Sequence, residues 1–363
     1  MNSLVIVFFI SILLILLFPF KRVNKVKSYL YLSCVWIILT WLLLFYNNYF
    51  MVYIYIALFF FVFAFIRKNI RNKMINFLLF IALVISFFIT LFIMLFILIQ
   101  SIDFFKKVAI SEFLFCLKWN YNVVTIDGEK IGCFGIIPLL VGTLIITIIA
   151  MLIAIPLGLF SALYVSEYAS SRIRYIINTI LQILSAIPTV VYGYFSVVFL
   201  SSFIKEMANF FGLNIHSESA LIAGLSIGIM ILPSIISLLE DAIRSVPKSL
   251  RYGFMALGAT SAETIWHIII PYAMPTILSA ILLSVSRVIG ETMIVLMAVG
   301  INSNLTFNPL NSVTTITVQI TTLLTGDQDF NSVQTLAAYA LGLVLFIITW
   351  LLNAFALFII KRN

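Results

Sequence analysis

Residues 75–100 read INFLLFIALVISFFITLFIMLFILIQ, twenty-six residues without one charge. An α-helix rises about 1.5 Å per residue, so this run is long enough to cross the roughly 30 Å hydrocarbon core of a bilayer. In hydrocarbon every backbone N–H and C=O must find a partner within the protein, which leaves helices or closed barrels as spanning structures. Barrel strands show short stretches in which apolar and polar residues alternate. This run is long and does not alternate, so it reads as a transmembrane helix.

The pattern recurs outward from there. Hydrophobic residues make up 63% of the 363 and charged residues 9%. A soluble domain carries roughly a quarter charged residues, so this chain cannot clothe its surface in water. Nine spans are expected, near 2–18, 28–46, 49–66, 75–100, 137–166, 174–203, 218–240, 272–300 and 334–360. The fold class is all-α and polytopic. Several spans exceed 20 residues, so some must tilt, kink or emerge at an interface.

The net charge of +8 would suggest nucleic acid in a soluble protein. Here it follows topology, because cytoplasmic loops collect Lys and Arg, and no nucleic acid is expected. One set of connections holds 15 of the 21 basic residues, including Lys21, Arg22, Arg67, Arg172, Arg174, Arg244, Lys248, Arg251 and Lys361. The opposite set holds five, and Arg287 lies within a span. This bias places the N-terminus outside and the C-terminus inside. The run Leu4–Phe18 has its basic residues after it, the reverse of a signal peptide, so it reads as a retained helix.

The two longest external connections are 101–136 and 301–333, and the notable cytoplasmic stretch is 241–271. Cys34 lies in a span and reads as packing. Cys116 and Cys133 share the first external connection, where an oxidising compartment permits a disulfide; two unpaired thiols are the alternative. Enzyme signatures are absent. There is no GxxxxGK[ST] loop, so ATP is not bound that way. The two histidines, His216 and His267, fall on opposite expected sides, which removes a shared metal site. No cofactor is expected.

Within 241–271, Gly258 interrupts the helical pattern and can take backbone angles other residues resist. Thr260 or Ser261 can cap a new short helix, with Glu263 favourably placed in its first turn. Pro271 is expected to stop or redirect that helix before the next span. The product is a surface element offering Ile265, Trp266, Ile268 and Ile269 for docking, or else an ordinary amphipathic connector.

Two clusters lie within spans. Arg287 sits 15 residues past Tyr272, about 22 Å along a helix, too deep for easy snorkelling. Glu291, four residues on, shares its face and can pair with it. Charges at such depth usually face a bundle interior or a wet cavity. The pair reads either as a lock between helices or as part of a path for an anion, since arginine's planar donors match phosphate oxygens two at a time. On the path reading, Glu291 holds Arg287 while the path is empty. The second cluster is Ser185, Pro188, Thr189, Tyr192 and Gly193. Pro188 frees a carbonyl within the membrane, and the hydroxyls of Ser185, Thr189 and Tyr192 either line a cavity there or bond back to the preceding turn.

Several of these stretches together resemble a known family. Gly258, the isoleucine-rich turn and Pro271 look like the EAA loop of binding-protein-dependent ABC importer permeases. Phe134–Leu144, Ser185–Gly193, Ile231–Pro233, Glu240–Pro247 and Ser286–Met293 together look like the C-type permease subunit of bacterial phosphate (Pst) importers. The likeness runs from about residue 75 to the C-terminus, with Tyr252, Gly253 and Phe254 where the Glu-Ala-Ala triplet usually stands. It implies a six-span type I importer domain over 74–363, preceded by a three-span extension over 1–73. It also implies a multi-pass protein of the bacterial cytoplasmic membrane that imports inorganic phosphate. A second homologous permease, a cytoplasmic ATPase dimer and an external phosphate-binding protein would be its partners, besides membrane lipid. Gly258, Ala259, Thr260, Glu263, Thr264, Trp266 and Pro271 would couple it to the ATPase, and Arg287 with Glu291 would serve the path. An ABC permease for another oxyanion or small solute is the alternative. A secondary transporter working alone is a further one, although no inverted repeat is visible.

Overall fold

The computed structural model describes residues 68–126, 129–210, 212, 218–300, 302–303, 305–325 and 332–361. The three spans expected over 2–66, and His216, lie outside these residues. The chain divides between Leu91 and Phe92, and Phe92–Asn363 contains the packing described below.

The division falls inside α1 (Lys68–Lys107), which extends at both ends beyond the expected 75–100. The connection after it is folded. It holds α2 (Ile110–Phe115) and an antiparallel hairpin, β1 (Trp119–Ile126) with β2 (Glu129–Phe134), in which Trp119 faces Phe134. Those two rings bury together with Phe104 and Phe113 in a set of edge-to-face contacts. Cys116 and Cys133 are joined in a disulfide that ties the end of α2 to β2. An all-helical reading missed this hairpin, because its strands are short and lie between much longer apolar runs.

The bundle is built on α3 (Ile137–Leu163, ending in a π turn at Tyr164–Tyr168) and α7 (Ala220–Arg244). Ile227, Ile231, Ile235, Leu239 and Ile243 recur every four residues along α7, and each is fully buried. They pack against Ala150 and Ala154 of α3, and against Ala273, Ile277 and Ala280 of α10 (Ile270–Ile289). Gly224 and Gly228 bring α7 close to α3: a Cβ at Gly224 would stand 2.6 Å from Ile149 Cγ2. Small residues spaced by four are how membrane helices approach one another, since apolar burial gives little drive inside lipid.

The expected single span over 174–203 is two helices. α4 (Ser171–Ser185) is strongly amphipathic and buries no residue, and the chain breaks at Ile187–Pro188. Proline lacks the N–H that would continue the ladder and disfavours helical angles in the residue before it. Beyond the break, α5 (Thr189–Phe195), a π turn (Ser196–Leu200) and α6 (Ser201–Phe210) form one apolar stretch long enough to cross a membrane.

The span expected over 272–300 is displaced. α8 (Lys248–Ala256) leads to Gly258, whose φ of +94° is a left-handed turn that favours glycine. α9 (Ser261–Thr264) then passes through a π turn (Ile265–Ile269) directly into α10. Pro271 therefore does not stop the helix. It stands in the first turn of α10, and the wide turn before it absorbs the missing N–H. The far end stops early, at Ile289, and α11 (Met293–Ala298) follows a break at Gly290. The Asn- and Thr-rich stretch after it contains α12 (Ile316–Leu324), and α13 (Val333–Lys361) closes the chain.

Six helices among the described residues are long and apolar enough to span: 76–107, 137–168, 189–210, 220–244, 261–289 and 333–360. On α5, the π turn after it, α6 and α13, large apolar side chains such as Val191, Phe199, Phe203, Trp350, Phe355 and Phe358 point outward. In water this surface would aggregate, and in a bilayer it is solvated by lipid. The protein is a multi-pass helical membrane protein.

Candidate functional site

A polar cavity of about 450 Å³ opens between α4, α7 and α10. Each of these helices contributes one face. α7 turns its isoleucine face into the bundle and presents Ser234, Ser237, Asp241 and Arg244 on the other. α4 presents Asn178, Gln182 and Ser185, spaced by four and three. From α10 comes Arg287, whose Nη1 donates to Ser234 Oγ at 2.8 Å. The guanidinium is otherwise open to the cavity. Among the described residues this arginine has one neutral hydrogen-bond partner and no ion pair, so it has donors left for an anionic ligand.

Glu291 does not pair with Arg287. The helix ends at Ile289, so the four-residue spacing no longer places the two on one face. Glu291 Oε1 instead lies 3.5 Å from the Ile294 N–H, over the first turn of α11. Its backbone carbonyl, freed at the Gly290 break, accepts from Thr317 Oγ1 of α12 at 2.9 Å.

The Pro188 break is closed in the same manner. The Leu184 carbonyl loses its normal donor because residue 188 is proline, and it accepts instead from the Ile187 N–H at 3.3 Å and the Tyr192 hydroxyl at 3.1 Å. Ser185 Oγ donates back to the Gln182 carbonyl at 2.9 Å while still lining the cavity. Thr189 opens α5 and is partly exposed. The cavity thus gathers Ser185 and Arg287; Thr189, Tyr192 and Glu291 sit at the two breaks instead. The helices that follow these breaks, α5 and α11, pack on each other.

Sequence reading missed Asn178, Gln182, Ser234, Ser237, Asp241 and Arg244. The signal was present for the last four. They recur at three, four and three residues on a helix whose other face is isoleucine, a polar stripe inside an apolar span.

The surface element forms around a capping box. The Thr260 hydroxyl accepts from the Glu263 N–H at 3.3 Å, and the Glu263 carboxylate accepts from the Thr260 N–H at 2.7 Å. Trp266 is 63% exposed, as docking requires, and Ile268 is half-buried. Ile265 and Ile269, expected to be available, are buried in the bundle at 5% and 1% exposure, because the continuous helix turns them inward. Ala259 is half-buried and Thr264 fully buried. A second clamp holds this element: Arg251 of α8 pairs with Glu167 of the α3 π turn and donates through Nη2 to the Ile243 carbonyl at 2.5 Å. Arg174 donates to the Val165 and Ser166 carbonyls at 2.8 and 2.7 Å.

This arrangement has relatives. A Bacillus subtilis (strain 168) protein named probable ABC transporter permease protein YqgH is 34% identical over 244 residues, 67% of this chain and 75% of the relative. The phosphate transport system permease protein PstC of Mesorhizobium japonicum is 30% identical over 267 residues, 69% of this chain and 79% of the relative. A structure of a bacterial alginate ABC transporter, in complex with alginate pentasaccharide-bound periplasmic protein, shares the fold. Its TM-score is 0.54 at 18% identity, covering 80% of this chain and 96% of that one. The binding-protein-dependent transport system inner membrane component family matches residues 154–363, and the chain belongs to that family.

Proposed function

We propose that this chain is the permease subunit of an ATP-driven importer and that its substrate is inorganic phosphate. The observation that carries the reading is Arg287, in a spanning helix, opening on a 450 Å³ polar cavity with, among the described residues, only Ser234 hydrogen-bonded to its guanidinium. Two arginines, Arg287 and Arg244, offset by the Asp241 and Glu240 carboxylates, attract an oxyanion without trapping it, and transport requires release as well as binding. The names of the PstC relatives support phosphate in particular. Ser234 takes the role first given to Glu291, holding Arg287 while the path is empty. Thr189, Tyr192 and Glu291 border the path at the two helix breaks.

ATP hydrolysis belongs to a separate ATPase dimer, and this chain is not itself an enzyme. That dimer docks on the element from Gly258 through Trp266, with Ala259, Thr260, Glu263 and Thr264 shaping it and Pro271 behind it. A second, homologous permease completes the path, and an external phosphate-binding protein delivers the anion. Residues 74–363 form the importer domain and 1–73 an extension. The chain lies in the bacterial cytoplasmic membrane with its N-terminus outside and its C-terminus inside. The Cys116–Cys133 disulfide supports this orientation, since it lies on the side away from most basic residues, where thiols oxidise.

The test is labelled phosphate uptake by cells lacking their own phosphate permease, supplied with this chain and its partner subunits. ATP-dependent uptake that sulfate and molybdate do not compete away is expected. Equal competition by those anions moves the substrate to another oxyanion, and uptake without the ATPase points to a transporter working alone.

A further inference from the structure

The cavity has a second arginine in its lining. Arg244 lies ten residues beyond Ser234 on the same stripe of α7, about 15 Å along the helix. Ser237 and Asp241 fill the interval, and Gln182 and Asn178 of α4 line the same space. Arg244 differs from Arg287 in having a carboxylate beside it. Glu240 Oε1 lies 3.0 Å from Arg244 Nη2, the residue is only 4% exposed, and this oxygen makes no hydrogen bond. The contact is therefore one of charge, outside hydrogen-bonding geometry. A carboxylate buried on those terms is costly to keep. The Arg244 side chain remains 43% exposed.

We infer that Arg244 is a second anion stop on the path and that Glu240 is the group that empties it. The inference rests on the phosphate reading above. An anion leaving Arg287 follows the α7 stripe to Arg244 and displaces the Glu240 carboxylate from the guanidinium. The carboxylate returns, competes for the same donors, and expels the anion on the basic-rich side. No bond is made or broken; one ion pair exchanges for another. A purely structural pair, with Arg244 serving the C-terminal end of α7, would use the same two residues, so the test must separate the roles.

The experiment uses the assembled importer in nanodiscs and proteoliposomes, with labelled inorganic phosphate as probe. Glu240→Gln is expected to hold phosphate about tenfold more tightly without ATP and to turn over about tenfold more slowly, because the expelling charge is gone. Arg244→Gln is expected to bind more weakly and also to transport more slowly. The double variant should lose the extra retention of Glu240→Gln. Arg244→Lys, which keeps the charge but not the planar fork, should fall between wild type and Arg244→Gln, and it serves if Arg244→Gln fails to assemble. A structural pair predicts that Glu240→Gln and Arg244→Gln weaken binding and assembly alike, and that result overturns the inference. Loss of uptake in Arg287→Gln, with both α7 variants behaving as wild type, overturns the second stop alone. If the wild-type complex neither binds nor imports phosphate, the substrate reading fails and this inference falls with it.

Discussion

Two regions of this molecule place polar groups inside membrane helices, and they treat them in opposite ways. At the Pro188 and Gly290 breaks, the freed carbonyls of Leu184 and Glu291 are met by hydroxyls from Tyr192 and Thr317. In the cavity between α4, α7 and α10, Arg287 has, among the described residues, one neutral hydrogen-bond partner and keeps donors to spare. A break in a spanning helix must be sealed from within, because lipid offers no hydrogen bonds. A transport site must stay unsealed, because its partner is the passing solute. The difference supplies a criterion: closed polar groups serve the fold, and open ones serve the path.

Arg287→Gln is the most severe way to test that contrast. Uptake should fall by about a hundredfold or more, the loss of a charge-assisted contact, while the melting temperature of the assembled complex stays near wild type. A large drop in melting temperature would make Arg287 a structural group after all. Tyr192→Phe should behave conversely. It leaves the Leu184 carbonyl with the Ile187 N–H alone and costs about 0.5–1.5 kcal/mol of stability, read by thermal unfolding in detergent, with the uptake KM unchanged. Thr260→Ala removes half of the capping box and should cost about 1 kcal/mol, seen as faster hydrogen exchange at residues 261–264. Ser185→Ala is the finest probe, because that hydroxyl both bonds Gln182 and lines the cavity. Its stability effect should stay within about 0.5 kcal/mol, so any rise in KM reports the cavity role.

Legibility in the sequence followed the range of the interaction. The capping box at Thr260 and Glu263 and the left-handed turn at Gly258 were readable, since each depends on residues within one turn. The apolar runs were readable because the bilayer imposes one length on all of them. Helix continuity was not. Pro188 breaks its helix, whereas Pro156, Pro233, Pro271 and Pro275 stand within continuous ones, so a proline in the sequence does not by itself mark a break. The Arg287–Ser234 contact joins residues 53 apart in the chain, and the Arg251–Glu167 pair joins residues 84 apart. Neither leaves a local trace, whereas the spacing of Ser234, Ser237, Asp241 and Arg244 does.

The unbroken passage from α9 into α10 has a mechanical meaning. From Ser261 to Ile289 the chain is one helical rod of 29 residues, with Trp266 exposed near one end and Arg287 near the other. The two are 21 residues apart, about 32 Å along the rod. The π turn at its start and Pro275 inside it are the two points at which the rod can bend. A displacement of Trp266 would pass through both of these points before it reached Arg287 and its seat on Ser234.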